Sequence, residues 1–284
     1  ILESTSPVGT MQAIAERLTD LGHDTERLDL AYCPERVLPG RTMTELVEND
    51  RVVGGYTPPA GERVARFYQT FVSGEVLVTN ARTAEMCKLV ENAYRDVNIA
   101  FANELSILAD RFGVDTREMI SLANHHPRVN ILNPSPGVGG HCIAVDPWFL
   151  VHGNEDESRL IHTARTVNLR KPAWVVEQVA ARARRIASEK GSVRVACFGL
   201  AYKPNTDDLR ESPALEVVHR LRAEGLDVVA VEPNLETYAP LDLVSVQDAL
   251  DQSNLLVGLV AHQEFANLEV DGREVLDFAG AFQS

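Results

Sequence analysis

Two stretches of short apolar strands alternating with helices, separated by a long run of helical periodicity, fix the fold class of this 284-residue chain. In the first stretch, 28–33, 51–55 and 75–79 read as strands, with helices over 11–21 and 58–71. Pro58 sits at a first helical turn, where its missing N–H costs little. In the last stretch, 193–198, 227–231, 255–260 and 274–278 read as strands and 213–224 as a helix. Strands alternating with helices predict parallel sheets, so the chain is expected to be α/β. Between the two stretches, Met86, Leu89, Ala93, Val97, Ala100, Phe101, Leu105 and Leu108 recur at helical spacing over 83–112. Gly113 ends that helix, Asp115 and Glu118 form a capping-box pattern for the next, and helices continue through 160–188. The expected domains are 1–80, 81–188 and 189–284. A stripe this long predicts a homodimer or higher homo-oligomer through the 83–112 helix. Ile1-Leu2-Glu3 reads as the end of a strand, so an N-terminal piece is expected to precede it.

A net charge of −14 argues against a nucleic-acid partner, which would call for a basic face. No apolar run suggests a membrane span and no secretory leader is visible. Cys33, Cys87, Cys142 and Cys197 are scattered without paired spacing, which points to a reducing, cytoplasmic setting rather than a disulfide framework. An anionic substrate would need local Arg and Lys to offset the acidic whole.

The segment Gly137-Val138-Gly139-Gly140-His141-Cys142-Ile143-Ala144-Val145-Asp146-Pro147 carries the strongest chemical signal. Glycines allow tight turns and close approach of a ligand to the backbone, as Gly139 and Gly140 would. If a helix begins at Cys142, its free N–H groups favour the thiolate, and Asp146 lies one turn on. The alternative is a helix-entry turn with a small buried cysteine. Lys88 and Asn92 share a helix face at i, i+4 and either face a pocket or form a solvated pair. Glu35 follows a strand end, where α/β sheets place ligands, and is either a water-activating carboxylate or a turn residue. Thr5 either holds a water or caps the following helix. Lys203 and Arg210, in the polar loop after the 193–198 strand, suit phosphate or belong to a solvated loop. His125, His126 and His141 lack metal-ligand spacing, so no metal is expected. No G-x-G-x-x-G cradle is present.

Taken in order, Glu3–Thr10, Cys33–Arg36, Ala84–Leu89 with Asn92, the Gly-Gly-His-Cys loop with Asp146, and Gly199–Ser212 resemble the nucleotide-sugar 6-dehydrogenases, the family that includes UDP-glucose dehydrogenase. The segments 34–55 and 126–132 are most similar to the branch acting on UDP-N-acetyl-D-mannosamine. The resemblance implies two Rossmann-like parallel-sheet units joined by a long central helix and a helical middle domain, the N-terminal unit truncated here. It implies oxidation of a UDP-N-acetylhexosamine at C6 to a carboxylate with two NAD+. It assigns Cys142 as nucleophile, Lys88, Asn92 and Asp146 as holders of water and substrate oxygen, and Glu35 with Thr5 as promoters of thioester hydrolysis. Lys203, Arg128, Gly139 and Gly140 would meet substrate, Arg128 that of a neighbouring subunit; Arg210, Thr5 and Glu35 would lie by the cofactor. Pro39 stands where UDP-glucose dehydrogenases carry a second glutamate, favouring the N-acetylhexosamine branch over UDP-glucose. Without the glycine cradle, this chain alone is expected to bind NAD+ poorly. Two other classes stay open: a cofactor-free cysteine acyl-transfer enzyme using His141 or His126, and a silent UDP-sugar-binding module.

Overall fold

The computed structural model describes residues 1–37, 40–270 and 272–282. Pro39 therefore lies outside the described residues. The chain divides into two compact units, one of 1–94 with 146–157, the other of 95–145 with 158–284.

In the first unit, α1 (Thr10–Asp20), β1 (Ala31–Tyr32), α2 (Thr42–Glu48), β2 (Arg51–Gly55), α3 (Pro58–Tyr68) and β3 (Val76–Asn80) precede α4 (Ala81–Phe112). The sheet order is β1-β2-β3. β2 and β3 are parallel, as expected, but β1 is antiparallel to β2. The expected 28–33 strand narrows to Ala31–Tyr32, preceded by a 3-10 turn over Thr25–Arg27 that Asp24 caps. β1 instead runs parallel to the N-terminal segment: Leu2 pairs with Tyr32, and Cys33 N–H donates to the Leu2 carbonyl at 2.9 Å. Gly54 and Gly55 are required by packing, since a Cβ on Gly55 would lie 2.4 Å from the Gly61 backbone. The short α6 (Asp146–Val151) belongs to this unit.

The second unit holds the C-terminal part of α4, α5 (Thr116–Ala123), α7 (Arg159–Lys190), β4 (Arg194–Phe198), α8 (Pro213–Ala223), β5 (Asp227–Val231), α9 (Val246–Gln252), β6 (Leu255–Gly258) and β7 (Glu274–Asp277). Its sheet is wholly parallel in the order β5-β4-β6-β7. The order reverses between β4 and β6, which places the ligand crevice of such a sheet at their carboxyl ends. One face is covered by Val175, Val176, Val179 and Ile186 of α7 with Val217, Val218 and Leu221 of α8. On the other, Phe198 meets Phe265 and Phe282 edge-on at centroid distances of 5.3 and 5.1 Å. Truncating a ring so buried costs about 3–5 kcal/mol.

The single apolar stripe expected on α4 is two faces. Leu89, Ala93 and Ala100 are buried, whereas Met86, Val90, Tyr94, Phe101, Leu108 and Phe112 are exposed. Among the described residues, no helix is long and apolar enough to cross a membrane.

Candidate functional site

In the first unit, the carboxyl ends of β1 and the N-terminal segment bring Thr5 and Glu35 to one edge, where Glu35 N–H donates to the Glu3 carbonyl at 3.2 Å. The Glu35 side chain turns back on its own loop: Oε1 accepts the amides of Arg36 (2.6 Å) and Val37 (2.8 Å). α4 meets this loop through Lys88, whose Nζ donates to the Glu35 carbonyl at 2.6 Å, and through an ion pair between Arg36 and Glu91. One turn along α4, Asn92 Nδ2 donates to Asp146 Oδ2 at 2.5 Å. Burial pushes the Asp146 carboxyl above its usual range, with the Asn92 bond and the Lys88 charge opposing. Lys88, Asn92, Asp146 and Glu35 are thus brought together, and Lys88 is half-buried rather than part of a solvated pair. Sequence reasoning missed Glu85, fully buried on α4, whose carboxylate accepts the Gly9 and Met11 amides at 2.6 and 2.8 Å. It fills the N-terminus of α1 with a built-in anion.

In the second unit, a buried polar ladder supports the glycine loop from one side. Asp96 pairs with Arg165 and accepts from Asn168 at 2.8 Å; Asn168 accepts from Asn103, and Asn103 accepts the Ser135 amide at 2.8 Å. Ser135 Oγ then donates to the Gly137 carbonyl at 2.7 Å. From the other side, a Cβ on Gly139 would fall 2.3 Å from the Glu211 carbonyl oxygen, and one on Gly140 (φ +80°) 2.9 Å from the Tyr202 ring. Only glycine permits so close an approach to the loop after β4.

That loop, Gly199 to Ser212, is itself fixed. Leu200 and Ala201 amides donate to buried Glu232 at 2.7 and 3.1 Å, and Ser212 Oγ donates to the Leu200 carbonyl at 2.6 Å. His262 Nδ1 accepts the Asn205 amide, so Nε2 carries the proton and donates to Glu232. Burial raises the Glu232 carboxyl, but His262 and the Leu200 amide outweigh it and hold it below its usual range. Asn205 and Glu211 take left-handed backbone (φ 58° and 52°), the only described non-glycine residues to do so, and both lie in this loop. Lys203 Nζ stands 5.4 Å from the Tyr202 ring centroid at the switch point of the sheet. Arg210 is turned onto Asp208, Nη2 to Oδ2 at 2.7 Å, holding that carboxyl at about 2. Arg128 is exposed and its amide donates to His126 Nδ1 at 3.3 Å.

No helix starts at Cys142. The residue sits in a bend, its carbonyl accepts the Val145 amide at 3.1 Å, and α6 begins at Asp146, where Pro147 suits a first turn. The Cys142 thiol therefore lies outside any helix N-terminus, and no helix dipole favours its thiolate. Accessibility distinguishes this thiol instead: Cys142 is exposed, Cys33 and Cys197 are buried, and burial pushes Cys197 up to about 12.

The N-terminal 1–72 match the NAD-binding domain of the UDP-glucose/GDP-mannose dehydrogenase family, 82–170 its central domain, and 196–281 its UDP-binding domain. UDP-N-acetyl-D-mannosamine dehydrogenase of Yersinia pestis is 53% identical over 93% of this chain and 68% of its own length. The chain belongs to the UDP-glucose/GDP-mannose dehydrogenase family. An NDP-N-acetyl-D-galactosaminuronic acid dehydrogenase of Ralstonia nicotianae is 48% identical, with 100% of this chain and 70% of that protein covered. Among solved structures, the UDP-D-ManNAc dehydrogenase of Pyrococcus horikoshii superposes with a TM-score of 0.85 at 38% identity, over 97% of this chain and 67% of that one. The protein is an oxidoreductase of this dehydrogenase family, with NAD as its cofactor. The residues present suit one end of that cofactor. Thr5 and Glu35 follow the carboxyl ends of the N-terminal segment and β1, beside the start of the antiparallel β2, but the N-terminus of α1 is taken by Glu85 and the sequence holds no G-x-G-x-x-G cradle for the pyrophosphate.

Proposed function

We propose that the protein oxidises UDP-N-acetyl-D-mannosamine at C6 to UDP-N-acetyl-D-mannosaminuronate. The observation that carries this reading is the Gly137–Cys142 loop, an exposed thiol fixed by close glycine contacts against the loop after β4. Relatives of about half identical sequence bearing that substrate in their names support the choice of sugar. The overall reaction is R-CH2OH + 2 NAD+ + H2O → R-COO− + 2 NADH + 3 H+, so NAD+, when bound, supplies the acceptor for both hydrides. Lys88, Asn92 and Asp146 hold the C6 hydroxyl oxygen and a water, and the hydroxyl proton leaves through that water to solvent. The Cys142 thiolate adds to the aldehyde carbon, forming a C–S bond and an oxyanion that Lys88 stabilises. Loss of the second hydride leaves a thioester on Cys142. Water activated by Glu35, with Thr5 orienting it, breaks the C–S bond and releases the acid and the thiol.

Lys203, Gly139 and Gly140 hold the nucleotide sugar, and Arg128 reaches the substrate of a second copy. Arg210, once released from Asp208, serves the cofactor end with Thr5 and Glu35. The domains in this reading are 1–80, 81–188 and 189–284. The exposed α4 face supports a homodimer, and the scattered unpaired cysteines support a cytoplasmic setting. A cofactor-free acyl-transfer enzyme is less well supported, since His126 Nδ1 is engaged by the Arg128 amide. The test follows NADH from the full-length protein with UDP-N-acetylmannosamine, UDP-N-acetylgalactosamine, UDP-N-acetylglucosamine and UDP-glucose. Highest kcat/KM with UDP-N-acetylmannosamine is expected; preference for another sugar overturns the substrate assignment.

A further inference from the structure

Arg51 opens β2 with its side chain 1% exposed, among the most completely buried large side chains described. A guanidinium stays protonated at any working pH, and a buried charge is costly unless paired. Its partners are few. Nη2 donates to the Leu46 carbonyl at 3.0 Å, the Tyr68 ring centroid lies 5.7 Å from Cζ, and Nη1 and Nε make no hydrogen bond among the described residues. Nη1 points to one carboxylate, Glu35 Oε1, at 3.7 Å. Three groups thus converge on that oxygen: the Arg36 and Val37 amides and the Arg51 guanidinium. The Glu35 side chain is itself 38% exposed, so a carboxylate open to water is anchored from beneath by a buried cation with an unspent donor.

We propose that Arg51 is the positioning residue for Glu35 in thioester hydrolysis, fixing the carboxylate so that it activates the attacking water. Arg51 touches neither substrate nor reacting atoms, and the proposal rests on the role given to Glu35 above. Hydrogen bonds to the backbone amides set one oxygen, and the charge of Arg51 keeps the side chain from swinging into solvent.

The test uses full-length protein, UDP-N-acetylmannosamine and NAD+, with intact-mass detection of the acyl adduct on Cys142 alongside steady-state turnover. Glu35→Gln is expected to release NADH in a burst and then to accumulate the thioester. Arg51→Gln is expected to accumulate the same adduct, with kcat reduced about tenfold to a hundredfold, part of the ~10²–10⁴ a general base contributes, and KM within about twofold. Arg51→Lys keeps the charge but loses the planar fork, so its hydrolysis rate is expected between those of the wild type and Arg51→Gln. The double variant is expected to be no slower than Glu35→Gln alone. If Glu35→Gln accumulates no thioester, the role of Glu35 fails and the proposal with it. If Glu35→Gln accumulates thioester and folded Arg51→Gln does not, only the Arg51 proposal fails. Should Arg51→Gln not fold, Arg51→Lys decides alone, and a wild-type hydrolysis rate there overturns the proposal.

Discussion

Replacing Gly139 by alanine tests how the reactive loop is held. The new Cβ would sit 2.3 Å from the Glu211 carbonyl oxygen, 2.8 Å from Pro213 Cδ and 3.0 Å from Tyr202 Cβ. The first contact is roughly 1 Å or more inside the ~3.5–4.0 Å optimum of non-bonded atoms. It is to backbone, in a residue already in left-handed conformation, so no rotamer relieves it. Overpacking of this kind costs about 1–3 kcal/mol, and backbone contact places the variant near the upper end, ~3 kcal/mol. At about 2–4 °C per kcal/mol for a unit of this size, the melting temperature should fall by roughly 6–12 °C. Gly191 provides the control. It caps α7 with φ +85° and an added Cβ meets nothing within 4 Å, so Gly191→Ala should show only the left-handed cost of about 1–2 kcal/mol. Thermal melts are paired with the alkylation rate of Cys142 and with kcat/KM. Gly139→Ala should change all three, Gly191→Ala only the first. A Gly139→Ala protein that melts, alkylates and turns over like the wild type would refute the claim that this loop is seated on the loop after β4.

Three further outcomes follow from buried or exposed groups. Burial pushes Lys171 down to about 7, opposed by Asp110, and its Nζ lies 3.9 Å from the Trp174 centroid. The unfolded chain then holds the extra proton between pH 7 and 10.5, so unfolding free energy rises with pH across that window. Lys171→Met should flatten the rise and raise stability at pH 7, as measured by denaturant titration. Asn92→Ala removes the hydrogen bond that opposes the upward push on Asp146 and should cost about 1–3 kcal/mol. Since a raised carboxyl loses stability as pH rises from its unfolded value of 3.8 through its folded one, that loss should be smallest below pH 3.8 and grow as pH rises through the folded value. Phe101→Glu, on the exposed face of α4, tests the proposed homodimer: the variant should sediment as a monomer with its circular dichroism spectrum retained, and sedimentation identical to the wild type would count against an α4 interface.

The elements legible in the sequence are those set by local pattern. β2 runs over Arg51–Gly55 as its β-branched run and glycine pair indicate, α4 follows sustained periodicity ended by Gly113, and α7 covers the helical stretch expected over 160–188. α2 and α9 are not legible in the sequence because each has only seven residues, too short for periodicity to stand out. The direction of β1 depends on pairing with Leu2, a contact across about thirty residues that local pattern does not encode. The α4 stripe misled because apolar residues at helical spacing do not say which face is covered. At the site, residue types leave Lys88, Asn92 and Glu35 open between a pocket and solvent, and the family resemblance is what singles them out with Asp146; in the first unit Lys88 bonds the Glu35 carbonyl and Asn92 bonds Asp146. Arg51, Glu85 and Lys171 escaped notice because an isolated charged residue reads as solvated until burial is seen.

The central claim is that one sulfur carries the sugar between two oxidations. The most direct measurement is the ratio of NADH formed to UDP-N-acetylmannosamine consumed by the full-length protein, with the product identified by mass, for the wild type and Cys142→Ala. The account predicts two NADH per sugar and a uronate for the wild type, and no uronate for the variant. Uronate formed by Cys142→Ala at the wild-type ratio would contradict it.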